Sequence, residues 1–284
     1  MKLSKIFALL LALCLISSAA CAATFTDAHG NVIELDDSLE AYAAVTLVGA
    51  DNAARQGETN LGDLWADALR WFAVSGEINA AFDEDDVKAG NDRIAVDADH
   101  VVALWNGGNL RADIAEGTFG AEALAEVLPF PNKVAVVYMT GAQLLETLEA
   151  ASQGLPYTAE TADACASLMQ VSGLTYAVDT TKAYDALEAY GDHWFTAGSV
   201  SRVRIDDVNG QPFDAEATYA VVTSNANFNG MDSSYILKAA AEANEQSAVT
   251  TAVVRDVVFR FIAAELNHQI GEAYAAPQGR LTIL

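Results

Sequence analysis

The sequence HVVALWNGGNLR at residues 100–111 decides the fold. Its apolar run after His100 predicts a strand at 100–104 that is buried on both faces. The strand leads into Asn-Gly-Gly-Asn at 106–109, where two glycines allow a close backbone approach. Such a turn can aim backbone N–H groups at an oxyanion, and Arg111 can pair with the same anion bidentately. The segment therefore predicts an anion-binding turn or, as the alternative, an ordinary turn at a strand end.

Strand and helix patterns alternate on both sides of this segment, without an internal repeat. Because no Pro-, Gly- or Ser-rich linker divides the chain, we expect one α/β (α+β) domain at 43–284. An alternating stretch with a His-Gly-Asn turn predicts a hairpin at 24–36, within an N-terminal appendage at 23–42. Further strands are predicted at 43–47, 133–139, 169–178, 201–205, 218–223 and 280–283, and helices at 60–72 (capped by Asn60), 120–127, 140–151 and 250–268.

The N-terminus has the three-part pattern of a secretory signal. Two lysines form a short basic region, an apolar run follows at 6–16, and small residues end in Ala-Cys-Ala at 20–22. The apolar run is too short for a permanent membrane span, so no transmembrane segment is predicted. We therefore predict a signal peptide at 1–22 and a secreted, periplasmic or cell-surface protein. The alternative is a lipoprotein that is acylated at Cys21.

The chain is strongly acidic, with 39 Asp and Glu residues against 15 Lys and Arg and a formal net charge of −24. This charge repels nucleic acid and anionic lipid, so neither is expected as a partner. An anionic small molecule can bind only where local arginines and backbone N–H groups oppose the overall field. After signal cleavage Cys165 is the one remaining cysteine, which excludes an internal disulfide and predicts a small, partly buried side chain.

No self-contained catalytic centre is recognisable in the sequence. The nucleophile elbow, the phosphate-binding P-loop and the dinucleotide fingerprint are absent. The Asp-x-His triplet at 27–29 is interpreted as a hairpin turn. The four histidines lie singly, without the spacing of metal ligands: His29, His100, His193 and His268. We therefore predict no catalytic residue, no metal ligand and no cofactor.

Five motifs occur in the order of a known family. They are ETNLGDL at 58–64, NGGNLR at 106–111, LPFPN at 128–132, MTG at 139–141 and QVSG at 170–173. Together they resemble the C-terminal domain of the 5′-nucleotidase family, which includes UDP-sugar hydrolases and cyclic-phosphodiesterase nucleotidases. The resemblance covers roughly residues 43–284. It implies mixed sheets covered by helices in an α-β-β-α arrangement.

Members of that family carry two metals in an N-terminal metallophosphoesterase domain, and their C-terminal domain grips the nucleotide. The residues before 43 are too few for such a metal-bearing domain. The resemblance therefore implies a domain that recognises a nucleotide or nucleoside and binds no cofactor itself. Divalent metals would enter only with a metallophosphoesterase partner.

The resemblance also implies a substrate site. Arg55 and Arg111 correspond to contacts with the substrate phosphate, and Phe130 to one of two rings that stack on the base. Asn106 corresponds to a hydrogen bond to the base, and Asp232 to a contact with the ribose hydroxyls. The complete implied set is Arg55, Asn106, Gly107, Gly108, Arg111, Phe130, Asn132 and Asp232.

The loop after the 218–223 strand departs from the family pattern. It keeps Asp232 and Tyr235 but loses two glycines, and Ala226 stands where the second stacking ring is expected. A ring-to-alanine change removes about 1–3 kcal/mol of base stacking. Phe228 is the candidate replacement if the loop is rebuilt. Phosphate recognition is therefore predicted to be intact and base recognition to be weakened, and the alternative is a scaffold that binds nothing.

Three functions remain open at this point. The first is an exported nucleotide- or nucleoside-recognition domain in nucleotide catabolism or salvage, with hydrolysis by a separate metallophosphoesterase. The second is a non-catalytic binding or scavenging protein for phosphorylated metabolites. The third is a divergent 5′-nucleotidase that hydrolyses its substrate alone.

Overall fold

The computed structural model describes residues 23–26, 32–35, 40–82 and 94–284. The strands are β1 (Ala23–Thr26), β2 (Val32–Leu35), β3 (Glu40–Ala43), β4 (Val101–Asn106), β5 (Gly117–Gly120), β6 (Lys133–Thr140), β7 (Met169–Ser172), β8 (Leu174–Val178), β9 (Ala186–Ala189), β10 (Phe195–Ala197), β11 (Val203–Val208), β12 (Thr218–Ser224), β13 (Ala248–Val253), β14 (Gln269–Ile270) and β15 (Leu281–Ile283). The α-helices are α1 (Ala53–Gln56), α2 (Asn60–Val74), α3 (Ala121–Val127), α4 (Gly141–Ala151), α5 (Asn225–Phe228), α6 (Tyr235–Ala243) and α7 (Val254–Ala264).

A five-stranded mixed sheet, in the order β13-β6-β12-β4-β7, forms the centre of the domain. Strand β12 is parallel to β4, with Ala220 opposite Val101, and antiparallel to β6. All six residues of β4 are buried, as the apolar run predicts. The last of them, Asn106, pairs with Met169 of β7 and delivers the chain into the glycine turn.

Two hydrophobic clusters cover the two faces of this sheet. Trp105 of β4 joins the cluster formed with α2 and α7, whereas Leu104 faces the cluster formed with α4, α6 and strands β8 and β11. The alternation follows from the pleat, which points successive side chains to opposite faces. Strands β8 and β11 belong to a second sheet, in the order β11-β8-β15. The mixed-sheet, helix-covered α/β fold is therefore confirmed.

Strands β1 and β2 form an antiparallel pair, with Ala23 opposite Leu35, in agreement with the predicted hairpin. Its turn, the 27–29 triplet, Cys21 and the predicted signal peptide at 1–22 lie outside the described residues. The domain limits at 23–42 and 43–284 stay predictions. Of the helices within the described ranges, none is both long and apolar enough for a membrane span.

Most predicted elements of the domain are present with small shifts at their ends. The strand predicted at 43–47 is wrong, because the chain pairs with β5 earlier, at Glu40–Ala43, and Leu47 makes only an isolated bridge. The strand predicted at 169–178 is two strands, because Gly173 adopts φ 81° between β7 and β8. The strand predicted at 201–205 starts and ends later, at Val203–Val208.

The predicted cap of α2 is also wrong. Thr59 caps the helix, and its hydroxyl accepts from the Gly62 N–H at 3.0 Å. Asn60 lies one residue inside the helix. Its amide accepts from the Val48 N–H at 2.8 Å and donates to the Tyr274 carbonyl at 2.8 Å. Asn60 therefore ties two loops to the helix instead of capping it.

The helix predicted at 250–268 is correct only in its middle. Residues Ala248–Val253 form β13, an edge strand that pairs with β6, and the helix proper is Val254–Ala264. The β-branched residues before Val254 suit a pleated strand, and Thr250 adds a side-chain hydrogen bond of 2.9 Å to the Val134 carbonyl. Tertiary pairing with the sheet therefore outweighs the helical spacing.

A partly buried charge cluster attaches the C-terminal segment to α2. Arg280 binds both carboxylate oxygens of Asp67 at 2.8 Å, and its Nε lies 3.8 Å from Oδ1 of Asp63. Glu58 accepts from the backbone N–H groups of Arg280 and Leu281 at 2.9 and 3.1 Å. Burial, together with the neighbouring Glu58 carboxylate, raises the pKa of Asp63 to about 8, although Arg280 lowers it.

This raised pKa predicts a fall in stability as the pH rises. An unfolded aspartate has a pKa of about 3.9, so between that value and the raised one the folded chain binds the extra proton. Stability then decreases with pH through this window and levels off above it. Urea unfolding of the parent should show this decline between pH 5 and pH 8. We expect Asp63→Asn, which mimics the protonated form, to flatten it. Equal slopes in parent and variant would exclude Asp63 as the cause.

Candidate functional site

A cavity of about 570 Å³ opens beside the end of β4. We call it the arginine cavity. Its lining comprises Arg55, Gly108, Asn109, Arg111, Phe130, Pro131, Asn132, Asp163, Ala166, His193, Trp194, Ala226, Met231 and Asp232. Its volume lies within the range of small-molecule sites.

The floor of the cavity is the glycine turn that follows β4. A Cβ on Gly107 would collide with the carbonyl oxygen of Ala54, and one on Gly108 would lie 2.7 Å from the Cβ of Ala166. Only glycine therefore lets this turn pack against α1 on one side and the 164–167 turn on the other. The Gly107 N–H is engaged by the Leu168 carbonyl at 2.7 Å.

Helix α1 carries Arg55 into the cavity from beneath. The residue is 8% exposed, and its Nη1 donates to the Ala162 carbonyl at 2.9 Å. The same nitrogen lies 3.7 Å from Oδ1 of Asp163, an exposed carboxylate at the rim. Arg55 is thus held in place by one backbone bond and keeps most of its five N–H donors for other partners.

Arg111 and Phe130 form the second wall. The guanidinium carbon lies 5.8 Å from the ring centroid of Phe130, within cation–π range. Burial, followed by the charge of Arg55, lowers the pKa of Arg111, and Asp232 raises it. The two arginines are therefore close enough to repel each other, a situation that an anion between them relieves.

Asp232 completes the polar lining. Its Oδ2 accepts from the Asn106 amide at 2.6 Å, and Asn106 in turn accepts from the Asn109 amide at 2.8 Å. Burial raises the pKa of Asp232, while Arg55, the Asn106 amide and Arg111 oppose that rise. Its backbone has φ 53°, the left-handed conformation that aspartate tolerates better than most residues. The carboxylate retains acceptor capacity for donors inside the cavity.

The sequence that forms this site matches the model of a known protein family. The sequence model described as 5′-nucleotidase, C-terminal domain, matches residues 40–239, well over half of the chain. The chain belongs to this family. The match begins at β3 and ends within α6, so it contains every residue that lines the arginine cavity.

Relatives of this 5′-nucleotidase C-terminal domain include longer proteins. The trifunctional nucleotide phosphoesterase YfkN of Bacillus subtilis is 28% identical over 65% of this chain, which spans only 10% of YfkN. A 5′-nucleotidase precursor from Thermus thermophilus matches in structure with a TM-score of 0.61 and 28% identity, over 86% of this chain and 39% of the precursor. The Haemophilus influenzae NAD nucleotidase shares the fold, with a TM-score of 0.56 at 16% identity, over 86% of this chain and 38% of the nucleotidase.

The structure brings most of the predicted site residues together. Arg55, Gly108, Arg111, Phe130, Asn132 and Asp232 all line the arginine cavity. Asn106 and Gly107 lie beneath it, and the Asn106 amide, which is 2% exposed, positions Asp232 and Asn109. The binding roles of all eight residues stay predictions.

The two alternatives for the second ring are placed differently. Ala226 lines the cavity, at the position where the resemblance expects a ring. Phe228 packs against the cluster of α4, α6 and β8. Within the described part of the chain, Phe228 is therefore not among the residues that line the cavity.

The sequence does not predict every residue of the lining. Asp163, His193 and Trp194 line the cavity although no sequence motif marks them. His193 and Trp194 lie at the tip of the β9–β10 hairpin, whose short exposed strands give no periodic signal. The Nε2 of His193 lies 3.7 Å from Oδ2 of Asp163, so the carboxylate faces both His193 and Arg55.

The remaining candidates lie elsewhere. His100 pairs with Asp97 at 2.6 Å, and Nδ1 of His268 lies 3.0 Å from the Glu40 carbonyl oxygen. Cys165 is buried, which raises the pKa of its thiol. Among the residues that the structure describes, no three His, Cys, Asp or Glu side chains are grouped to hold a metal ion.

Proposed function

We propose that this domain binds a nucleoside phosphate in the arginine cavity. The observation that carries the proposal is the meeting of Arg55, Arg111 and Asp232 with the 41% exposed ring of Phe130 in one lining. Two guanidinium groups suit a phosphate, a carboxylate suits the ribose hydroxyls, and the ring suits a base. The two arginines also provide the local positive charge that an acidic protein needs to hold an anion.

We further propose that the domain is exported and serves nucleotide catabolism or salvage, with hydrolysis by a separate metallophosphoesterase. The relatives named as a 5′-nucleotidase precursor and a nucleotide phosphoesterase support a nucleotide as the ligand. In those proteins the matched part is a minor share of the chain. The matched part is therefore one segment of a longer chain in these relatives.

A thermal-shift panel on the exported chain tests the proposal. AMP at about 100 times its Kd should stabilise the fold by about 2.7 kcal/mol, and each kcal/mol corresponds to roughly 2–4 °C for a domain of this size. Inorganic phosphate should have a smaller effect. If no nucleotide, nucleoside or sugar nucleotide moves the melting midpoint, the proposal fails.

A phosphate-release assay with added Mn²⁺ then separates the three functions. Turnover of AMP only in the presence of a metallophosphoesterase supports the proposal. Binding without turnover in either condition would favour a scavenging protein. Turnover by the chain alone that survives repurification and is lost in Arg111→Ala would favour a divergent 5′-nucleotidase.

Removal of the rim carboxylate should strengthen nucleotide binding. Asp163 lies 3.7 Å from Arg55 and is 69% exposed in its side chain, so it competes with a phosphate for the guanidinium. Exposed ion pairs contribute about 0.2–1 kcal/mol, so we expect Asp163→Asn to tighten AMP binding by about 1.4- to fivefold. The control is Asp256→Asn, which removes one exposed charge on α7. Calorimetric titration measures both, and equal changes in the two variants would contradict a local effect.

If the chain is exported, cleavage of the signal peptide should leave a mature protein with one defined N-terminus. The small-x-small site at 20–22 predicts a polypeptide that begins near Ala23. Intact-mass spectrometry of the native protein, purified from the culture medium and from the cell envelope, determines its N-terminus directly. An unprocessed chain that starts at Met1 would contradict export, and a diacylglyceryl mass on Cys21 would identify the lipoprotein form.

A further inference from the structure

The β9–β10 hairpin brings two side chains to the arginine cavity that the proposed function does not use. Its antiparallel strands pair Phe195 with Ala189, and residues 190–194 form the tip. His193 and Trp194 at that tip line the cavity. All four residues of β9 are exposed, so the hairpin has little core of its own and depends on outside contacts.

Those contacts fix the hairpin to the loop that carries Asp232. The Tyr190 hydroxyl donates to the Gly230 carbonyl at 2.8 Å, and the Ala197 N–H donates to the Tyr235 hydroxyl at 2.8 Å. The rings of Tyr190 and Tyr235 lie 5.3 Å apart. Both attachment points flank Asp232, so the hairpin tip and this carboxylate form one unit of the site.

A second link comes from Gln153, two residues after the end of α4. Its Oε1 accepts from the Phe195 N–H at 2.9 Å, and its Nε2 donates to the Ser233 hydroxyl at 2.6 Å. One side chain therefore connects the strand after Trp194 to the residue after Asp232. Each link is a hydrogen bond from a different element, which holds the tip in a defined position.

The backbone of Trp194 is held in place, whereas its side chain has no hydrogen-bond partner among the described residues. Its carbonyl accepts from the Tyr190 and Gly191 N–H groups at 2.8 and 3.3 Å, which closes the tip around it. Its indole N–H is buried and, among the described residues, has no hydrogen-bond partner. The indole N–H therefore faces protein, and Trp194 contributes the apolar surface of its ring to the cavity wall.

The aromatic surfaces of the cavity are also unpaired with each other. In the described part of the chain, Trp194 has its ring contact with His193, at 5.9 Å, and Phe130 is in contact with Arg111. The small Ala226 side chain lines the same cavity and leaves room for a planar group.

We propose that Trp194 is a binding residue for the base of the nucleotide. Its indole ring packs on the base. The hairpin thereby supplies the aromatic surface that Ala226 does not provide. This inference rests on the proposed function, and the ligand class is a nucleoside phosphate with an intact base.

Tryptophan fluorescence tests the contact directly. Trp65 and Trp105 are fully buried, and Trp71 packs on Phe261 and donates to Glu265. AMP should therefore change the emission of the parent through Trp194. Trp194→Phe should bind AMP by calorimetry without that change, whereas the control Trp71→Phe should retain it. The inference would be overturned if AMP changed the fluorescence of Trp194→Phe as much as it changes that of the parent.

Affinities separate this inference from the proposed function. Loss of aromatic stacking should weaken AMP and adenosine roughly five- to a hundredfold in Trp194→Ala, with partial recovery in Trp194→Phe. Ribose 5-phosphate, which lacks a base, should bind the parent and Trp194→Ala equally. If the parent binds AMP and Trp194→Ala binds it as tightly, the inference alone fails. If the parent binds no AMP, the proposed function fails.

Discussion

Replacement of Arg111 by alanine is expected to weaken AMP binding roughly ten- to a hundredfold. A hydrogen bond to a charged group contributes about 1.5–3 kcal/mol, and 1.4 kcal/mol corresponds to about tenfold in affinity. Arg55 keeps its own proposed contact with the phosphate, so the variant loses the Arg111 contact alone. Adenosine, which lacks the phosphate, should be affected much less. Calorimetric titration of both ligands measures the difference.

Two variants control this prediction. Arg111→Lys keeps the charge but loses the bidentate geometry, so its AMP affinity should fall between those of the parent and Arg111→Ala. Arg204→Ala removes an arginine that is 67% exposed in its side chain and pairs with Asp206 on β11, and it should leave AMP affinity unchanged. If Arg111→Ala binds AMP as well as the parent, the phosphate site is elsewhere and the scaffold that binds nothing becomes the better interpretation.

Replacement of Arg280 by methionine is expected to destabilise the fold by about 3 kcal/mol. Loss of one partner of a buried ion pair costs about 3–5 kcal/mol, because the other charge stays buried. The lower end applies here, since the Arg280–Asp67 pair is only partly buried, with side chains 14% and 20% exposed. Asp67 also keeps hydrogen bonds from the Ser172 and Tyr274 hydroxyls at 2.6 and 2.9 Å. Methionine preserves most of the packed aliphatic stem of Arg280, so the loss of stability reports on the removed guanidinium charge. Urea unfolding at pH 7 measures it.

Arg204→Ala is again the matched control, because its exposed ion pair should contribute at most about 1 kcal/mol. The double variant Arg280→Met with Asp67→Asn should recover part of the loss, since it removes the orphaned charge. A cost for Arg280→Met no larger than that of Arg204→Ala would show that the buried cluster does not hold the C-terminal strand in place.

The sequence predicts the centre of the fold because its signals there are local. The apolar run of β4 and the glycines after it are buried as expected, since an inner strand and a crowded turn leave few alternatives. The predictions of secondary structure fail where a strand pairs with a segment that is distant in sequence. Residues Ala248–Val253 become a strand because the edge of β6 is available to them, and Glu40–Ala43 pairs with β5 far along the chain.

The residues of the candidate site also differ in how far the sequence predicts them. Arg111 and Phe130 belong to sequence motifs and Arg55 lies just before one, so all three could be listed in advance, and the structure places them in one cavity. Trp194 could not be listed in advance, because its hairpin is short, largely exposed and without apolar periodicity. Its position depends on Gln153 and Tyr235, which lie about 40 residues away on either side. A tryptophan beside a histidine in a polar loop was the one available signal.

Calorimetric titration of AMP into the exported chain tests the central claim most directly. A saturable, one-site isotherm is predicted, with weaker binding of adenosine and of ribose 5-phosphate than of AMP, because each lacks one of the two groups that the arginine cavity contacts. The absence of saturable binding for AMP and for every other nucleotide of the panel would contradict it.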